Sequence, residues 1–289
     1  MKPPAFKYHD PTTLAEALDL LALYGDTAKV LAGGQSLVPL LNFRLATPAH
    51  VIDLNRIAEL DQVSRSDGHL RLGAMLRQRT LERSIDIAEA CPLIAQATPF
   101  VGHAQIRNRG TLGGSLAHAD PAAELPAVAL AVDAQLTLQS TRGQRVVGAD
   151  DFFIGELTTA LRPDELLVGV EVPVVTDRTG SSVQEVAMRS GDFALAGVAA
   201  SLRLTSTGSI AGARIVCFGV GSRPMRMRSA EASLADVLPT DEHFAEAGRI
   251  VSSQVDAVAD MHASAEYRKR AAGFLARRAL AACLRRVAA

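Results

Sequence analysis

Two Gly-Gly pairs, at 33–34 and 113–114, are the residues whose types and spacing best suit the binding of an anionic ligand. Each pair is followed within two residues by a serine, Ser36 or Ser115. Glycine lets the backbone turn tightly and approach a ligand, and N–H groups at a helix start attract negative charge. Two such segments could grip the two phosphates of one dinucleotide, although either pair alone is equally typical of an ordinary tight turn.

The elements expected around the first pair form a strand–helix–strand unit. An apolar run at 28–31 predicts a buried strand, a helix is expected from about residue 36, and a second strand is expected at 51–54. Ahead of them, Thr13 and Glu16 have the spacing of a capping box at the start of a helix. The first 55 residues therefore predict a small α/β unit with parallel strand pairing.

The remaining sequence predicts an α+β arrangement. Expected elements between 56 and 176 are a hairpin at 62–73, helices at 80–89, 93–97 and 125–132, and strands at 134–138, 145–147 and 166–172. The polar, turn-rich segment 174–182 is interpreted as a domain boundary. Beyond it we expect antiparallel strands at 183–189, 198–204 and 213–219 and helices at about 241–259 and 264–286. The expected domains are 1–176, with subdomains of about 1–55 and 56–176, and 177–289.

Composition narrows the classes of function. The 289 residues are 48% hydrophobic and carry a net charge of −1, so no strong field recruits nucleic acid or an anionic membrane. No apolar run reaches the length of a membrane span, and the N-terminal residues lack the apolar core of a signal peptide, so a cytoplasmic location is expected. The cysteines have no iron–sulfur spacing and apolar neighbours, which predicts buried, inert thiols at Cys91, Cys217 and Cys283.

Two segments carry a resemblance to a known family. AGGQSLVPLLNFRL at 32–45, followed by HVIDL at 50–54, resembles the start of the FAD-binding (medium) subunit of molybdenum hydroxylases, which include carbon monoxide dehydrogenase and xanthine dehydrogenase. IRNRGTLGGSLAHADPAAELP at 106–126 is similar to the second motif of that family, and the resemblance covers essentially the whole chain. It implies a vanillyl-alcohol-oxidase-type FAD-binding domain of two subdomains, followed by a smaller C-terminal domain of antiparallel sheet and helices.

The resemblance also implies which residues meet FAD. The backbone of 32–36 would hold the diphosphate, the second motif would complete the grip, and Glu124 would bond ribose or adenosine hydroxyls. Phe193, in the third resembling segment RSGDFALAG at 189–197, would lie against the isoalloxazine ring, or else would be a core residue at a strand start. For Val101 and Leu167 the residue types favour plain core packing. The expected cofactor-binding residues are Ala32, Gly33, Gly34, Gln35, Ser36, Leu37, Val101, Thr111, Gly113, Gly114, Ser115, His118, Asp120, Glu124, Leu167, Asp192 and Phe193.

Other polar residues near the second motif predict no metal site. His103, His118 and Asp120 lack a usual zinc spacing, and contact of His118 and Asp120 with FAD is the preferred interpretation. Arg107 and Arg109 are expected to face the phosphates, a partner chain or a surface carboxylate.

No catalytic residue is predicted, because the sequence contains no persuasive triad or carboxylate pair. The resemblance implies a small iron–sulfur subunit with [2Fe–2S] clusters and a large subunit with the molybdenum cofactor, in a dimer of heterotrimers. Electrons would pass from the clusters to FAD and on to an external acceptor, and the large subunit would select the substrate. Two alternatives remain: a self-sufficient FAD-dependent oxidoreductase of the same fold, and a non-catalytic binding protein that has kept it.

Overall fold

The computed structural model describes residues 2–287, and its N-terminal part is a small parallel α/β unit. The elements are β1 (Lys7–His9), α1 (Leu14–Tyr24), β2 (Ala28–Leu31), α2 (Leu37–Asn42) and β3 (His50–Asp53). The strands pair in parallel in the order β1-β3-β2, so the predicted pairing of β2 with β3 is confirmed. The edge strand β1 has no apolar alternation in its sequence, so pattern alone does not indicate it.

The first helix begins and ends where its capping residues predict. The hydroxyl of Thr13 accepts a hydrogen bond from the N–H of Glu16 at 3.2 Å, and Gly25 ends the helix with φ 45°. The carboxylate of Glu16 accepts from the N–H of Thr12 at 2.8 Å, one residue earlier than in a standard capping box. The helix buries Leu18 and Leu21 against the parallel sheet, which places the end of β2 at the surface of the unit.

The middle of the chain surrounds an antiparallel sheet with short helices. Its elements are β4 (Val63–Ser66), β5 (His69–Gly73), α3 (Gln78–Arg83), α4 (Ile85–Ala90), α5 (Pro92–Ala97), α6 (Ala104–Arg109), α7 (Leu112–His118), α8 (Glu124–Ala131), β6 (Gln135–Ser140), β7 (Gly143–Gly148), α9 (Ala149–Phe152), β8 (Phe153–Gly155), β9 (Thr158–Thr159) and β10 (Leu166–Pro173). The strand order is β4-β5-β10-β6-β7, with β8 and β9 paired separately. All predicted strands of this region are present, and α8 is buried along its whole length.

The single helix predicted at 80–89 is wrong, because two helices occupy that stretch. Ser84 lies between them in extended conformation, and its hydroxyl caps α4 by accepting from the N–H of Ile87 at 3.4 Å. A serine favours such a cap because its short side chain can bond the backbone locally.

The C-terminal part is an antiparallel sheet covered by helices on one face. Its elements are β11 (Thr179–Ala187), β12 (Ala194–Leu204), β13 (Ile210–Phe218), β14 (Met225–Arg226), α10 (Arg228–Ser233), α11 (Asp241–Gln254) and α12 (Ala265–Val287). The strand order is β11-β12-β13-β14, and α11 and α12 approach closely at Gly248 and Gly273. The predicted fold class, α+β with an α/β-like N-terminal part, is confirmed.

Two predicted boundaries in this region are wrong. The loop expected at 174–182 ends early, because residues 179–182 pair with 200–203 of β12 and form the start of β11. The helix expected at 241–259 stops at Gln254, and Val255 continues into the core in extended conformation. Both differences come from tertiary contacts that override local polarity.

The C-terminal sheet has its two faces in different cores. Val183, Ala199 and Phe218 pack against the helices of the middle region, whereas Val198, Ile215 and Cys217 pack against α11 and α12. This sheet therefore brings the loop at 188–193 to the helices that carry the second motif. Within residues 2–287, no helix combines the length and apolar character that a membrane crossing needs.

Candidate cofactor site

The first Gly-Gly pair follows β2 and forms an open turn with unused hydrogen-bond donors. Gly34 has φ 75°, a conformation that side chains with a Cβ rarely adopt. Within the described chain, the N–H groups of residues 33–37 donate to no protein acceptor. Gly33, Gly34 and Gln35 line a groove of about 410 Å³, which is also lined by Val38, Asp53, Asn55 and Arg109. A surface with several free N–H groups and a helix start is suited to an anion.

Gly33 serves a different purpose from Gly34. A Cβ at Gly33 would lie 2.4 Å from the carbonyl oxygen of Arg109 and 2.7 Å from Cα of Gly110. No side chain fits at that distance, so Gly33 lets the first turn pack directly on the backbone that precedes α7. The two motifs, eighty residues apart in sequence, therefore meet in the structure, as the sequence analysis expects.

The second Gly-Gly pair is not a turn, which corrects the sequence-based interpretation. Gly113 and Gly114 lie in the first turn of α7, with Thr111 as its capping residue. The N–H of Gly113 donates to the carbonyl of Ala74 at 2.7 Å, and that of Gly114 donates to the Thr111 hydroxyl at 3.0 Å. The N–H of Leu112 donates to Leu76 at 2.9 Å. These donors are occupied by protein acceptors, so the hydroxyl of Ser115 is the polar group this helix start can offer.

The residues after α7 form a tight connection to α8. His118 ends the helix, and Ala119 follows with φ 52° in the left-handed region. The carboxylate of Asp120 accepts from the N–H of Ala122 at 2.9 Å, which fixes this connection. The structure therefore explains Asp120 locally, and it places Glu124 at the start of α8.

Glu124 and Glu185 are two shielded carboxyls, of which Glu124 is buried and Glu185 is partly buried. Glu124 is 5% exposed, and burial, together with the charge of Asp120, raises its pKa to about 7. Burial and the charge of Glu124 raise the pKa of Glu185, on β11, to about 8. One carboxylate oxygen of Glu185 is buried without a hydrogen-bond partner. Glu185 is not among the predicted site residues, although it shares the inward face of β11 with Val183, where an acidic residue is unusual.

Phe193 lies at the surface, so the interpretation of Phe193 as a core residue is wrong. Its side chain is 63% exposed, and it stands one residue before β12 begins. The preceding loop is fixed by the N–H of Asp192, which donates to Arg189 at 3.1 Å. Gly191, with φ 87°, packs on the ring of His103, where a Cβ would lie only 2.6 Å away. The loop thus docks at the start of α6 and presents Phe193 outward.

Val101 and Leu167 are in the central core, as their residue types predict. Leu167 is 4% exposed within β10, and Val101 is partly buried against the same cluster. Burial alone does not show that either residue contacts the cofactor.

The two arginines before the second motif differ in environment. Arg107 is buried and pairs with Glu82 at 3.0 Å, and its guanidinium also donates to the carbonyls of Pro99, Val101 and Gly102. Of the alternatives expected for Arg107, the structure shows the salt bridge, although the pair is largely shielded from solvent and not at the surface. Arg109 lines the groove of the first turn. Among residues 2–287, no group of three or more His, Cys, Asp or Glu side chains is placed to hold a metal.

The cysteines behave as their apolar neighbours predict. All three are free and buried, and burial raises the pKa of the Cys91 thiol to about 11 and those of the other two to about 12. These thiols remain protonated at neutral pH and are poor nucleophiles.

Comparison with known proteins decides the family. The FAD binding domain in molybdopterin dehydrogenase matches residues 4–175, and the CO dehydrogenase flavoprotein C-terminal domain matches residues 181–283. The chain belongs to the FAD-binding subunits of the molybdenum hydroxylase family. This flavoprotein is 41% identical over 286 residues to the 6-hydroxypseudooxynicotine dehydrogenase complex subunit alpha of Paenarthrobacter nicotinovorans, covering 99% of this chain and 97% of that relative.

Two other matches agree with this assignment. The flavoprotein is 40% identical over 288 residues to the caffeine dehydrogenase subunit beta of Pseudomonas sp. (strain CBB1), covering 99% of this chain and 97% of that one. Its fold matches the carbon monoxide dehydrogenase structure from Hydrogenophaga pseudoflava with a TM-score of 0.96 at 36% identity, covering 99% of each chain. The protein is thus an FAD-binding medium subunit and a component of an oxidoreductase.

The groove of the first turn fits the diphosphate of FAD. Its donors are neutral backbone N–H groups, which bind a diphosphate without a lysine. A Cβ added at Gly34 would lie 3.2 Å from Val38 and 3.3 Å from Leu31, which is a tight fit, and the φ of 75° also disfavours a side chain there. Ala32 to Leu37 would hold the diphosphate, and FAD would supply the redox chemistry when bound.

Proposed function

We propose that this flavoprotein is the electron-transfer subunit of a molybdenum-containing hydroxylase or dehydrogenase. It takes electrons from iron–sulfur clusters of a partner subunit and passes them, via FAD, to an external acceptor. The observation that carries the proposal is the row of N–H groups at residues 33–37 that have no protein acceptor within the described chain, three of which line a groove. Such accessible donors at a helix start suit an anionic group such as a diphosphate.

The proposed FAD contacts follow the placement of the side chains. Residues 32–37 hold the diphosphate, and Ser115 adds a hydroxyl donor from α7. Glu124 accepts from ribose hydroxyls, for which a carboxyl in an interior site is suited. Phe193, exposed on the loop that docks at α6, covers the isoalloxazine ring. We propose that the other predicted residues line the rest of the FAD site. They are Val101, Thr111, Gly113, Gly114, His118, Asp120, Leu167 and Asp192.

The proposed assembly contains a small iron–sulfur subunit and a large molybdenum subunit, arranged as a dimer of heterotrimers. The names of the relatives support a multi-subunit enzyme, since they describe a complex subunit alpha and a subunit beta. We also propose that the chain divides into an FAD-binding domain at 1–176 and a C-terminal domain at 177–289. In this assembly the substrate is oxidised on another subunit, so this chain needs no nucleophile or general base of its own.

The experiment that tests the function is the visible spectrum of the purified chain with and without added FAD, followed by release and identification of the flavin. We expect a bound-flavin spectrum and release of FAD. Failure of the chain to bind FAD, both alone and in its native complex, would contradict the proposal. Turnover of a substrate by the isolated chain would instead favour a self-sufficient oxidoreductase.

A further inference from the structure

We propose that Asn55 and Arg77 form a positioning bridge that holds the first turn and the start of α7 at the spacing needed to bind FAD. We call it the Asn55–Arg77 bridge. The inference rests on the proposed function, because it assigns these residues a task toward the cofactor. Neither residue belongs to either Gly-Gly motif, and both act through the backbone that carries those motifs.

Asn55 ties the first turn to the end of β3. Its side-chain amide donates to the carbonyl of Ala32 at 2.9 Å and to the carboxylate of Asp53 at 2.5 Å. The same carboxylate accepts from the N–H of Asn55 at 2.8 Å and from the hydroxyl of Tyr8 at 2.6 Å. The turn that carries the free N–H groups is therefore anchored to the parallel sheet through one amide side chain.

Arg77 extends this anchor to the second motif. One guanidinium nitrogen donates to the side-chain oxygen of Asn55 at 2.5 Å, and the other donates to the carbonyl of Arg109 at 2.5 Å. That carbonyl belongs to the backbone on which Gly33 packs. The backbone of Arg77 also pairs with Thr111 in an isolated antiparallel bridge, so the residue contacts the cap of α7 as well.

The guanidinium of Arg77 is held by two neutral acceptors, the side-chain oxygen of Asn55 and the carbonyl of Arg109. Arg77 is partly buried and, among residues 2–287, has no carboxylate within 4.0 Å. Burial and the charge of Arg109 lower the pKa of Arg77, and the charges of Asp61 and Asp53 oppose that shift. A planar guanidinium fixes the distance between two acceptors, which a flexible lysine does not.

The test compares Arg77→Lys with Arg56→Lys. Arg56 is adjacent to Asn55 in sequence, pairs with Asp10 at 2.8 Å and is 61% exposed, so it is a matched control outside the bridge. We expect Arg77→Lys to weaken the binding of FAD about tenfold, the loss of one hydrogen bond to a charged group. The flavin visible circular dichroism at saturation should change, while the Tm of the flavin-free chain stays within about 3 °C of that of the wild type. Arg56→Lys should change none of these.

The outcomes separate the bridge from the proposed function. If the wild type binds FAD and Arg77→Lys binds it equally well, the bridge is wrong and the function stands. A fall in Tm with unchanged affinity would also reject the bridge, since it describes a structural residue. If the wild type binds no flavin, the function fails, and amide exchange decides the bridge. Leu112 and Gly113 should then exchange about tenfold faster in Arg77→Lys than in Arg56→Lys, and equal exchange would overturn it.

Discussion

Gly33-Gly34 occupies an open loop between β2 and α2, whereas Gly113-Gly114 is part of the first turn of α7. At the first pair, the N–H groups of residues 33–37 are unpaired within the described chain. At the second pair, the carbonyl of Ala74 and the hydroxyl of Thr111 accept the corresponding donors. The same Gly-Gly dipeptide therefore leaves backbone donors free in one region and forms a packing surface in the other.

This difference divides the work of the site between its two motifs. The first pair supplies donors, and it can do so because Gly34 has a positive φ that turns the chain away before α2 begins. The second pair supplies shape, because the absence of side chains lets α7 approach β5 and the first turn. Substitutions at the two pairs should consequently separate cofactor affinity from stability.

The largest effect is expected for Gly113→Val, which should lower the free energy of unfolding by about 3 kcal/mol. A Cβ at this position would lie 2.6 Å from Cβ of Ala74 and 2.7 Å from its carbonyl oxygen. Chemical denaturation of the flavin-free protein measures this change. Gly155→Ala is the control, since nothing lies within 4 Å of its added Cβ. A stable Gly113→Val protein would show that α7 does not need this close approach.

A smaller effect on stability and a larger effect on the cofactor are expected for Gly34→Val. The positive φ costs about 1–2 kcal/mol for a residue with a Cβ, and the altered turn should weaken FAD binding by at least about tenfold. Titration with FAD and denaturation of the same preparation measure both quantities. If Gly34→Val and Gly113→Val change FAD affinity and the free energy of unfolding in the same proportion, the two Gly-Gly pairs have the same role. The division proposed above would then be wrong.

Removing the cap of α7 should have an intermediate effect. Thr111→Val deletes the hydroxyl that accepts from the N–H of Gly114, which costs about 1 kcal/mol in other helices. Thr111→Ser keeps the acceptor and should restore most of that stability. Thermal unfolding of both variants provides the measurement, and a Thr111→Val protein as stable as the wild type would show that the hydroxyl cap does not stabilise α7.

The last prediction concerns pH, and it belongs to the region of the second pair. Glu124 and Glu185 have folded-state pKa values raised to about 7 and about 8. The unfolded chain loses these protons near pH 4.3. Between that pH and about 8 the folded state binds more protons, so the stability of the flavin-free protein should fall as pH rises.

Glu185→Gln should make this fall shallower, because a neutral amide does not titrate. The Tm of the flavin-free variant and wild type, measured from pH 5 to 8.5, provides the comparison. Glu266→Gln is the control, as its side chain is 72% exposed. Parallel curves for Glu185→Gln and wild type would contradict the buried-carboxyl interpretation.

Several elements could be predicted because their determinants are local. The Thr13 cap, the Gly25 stop and the hairpin with Asp67 and Gly68 at positive φ depend on residues within a few positions of one another. The buried helix α8 follows from an unbroken apolar run. Short-range steric and hydrogen-bonding preferences decide such features, so the residue types carry the information.

Other features depended on contacts between distant segments. Arg107 has a side chain of the type that commonly binds phosphate, but in the structure it forms an ion pair with Glu82. Phe193 resembles a core residue, yet docking of its loop on His103 leaves it exposed. Residues 179–182 resemble a polar linker and form a strand by pairing with β12. Local sequence does not determine which distant residues a side chain will contact in the folded chain.

The sequence by itself determined most of the strands and helices, the family and the two Gly-Gly motifs that we propose bind the cofactor. The tertiary structure alone decided that one pair presents free N–H groups while the other is already paired, and that Asn55 and Arg77 join them. The physical reason is that every residue except proline carries the same backbone N–H donor, so residue type does not show whether that donor is paired. Whether a protein acceptor satisfies that donor depends on segments, such as Ala74 and Arg109, that only folding brings together.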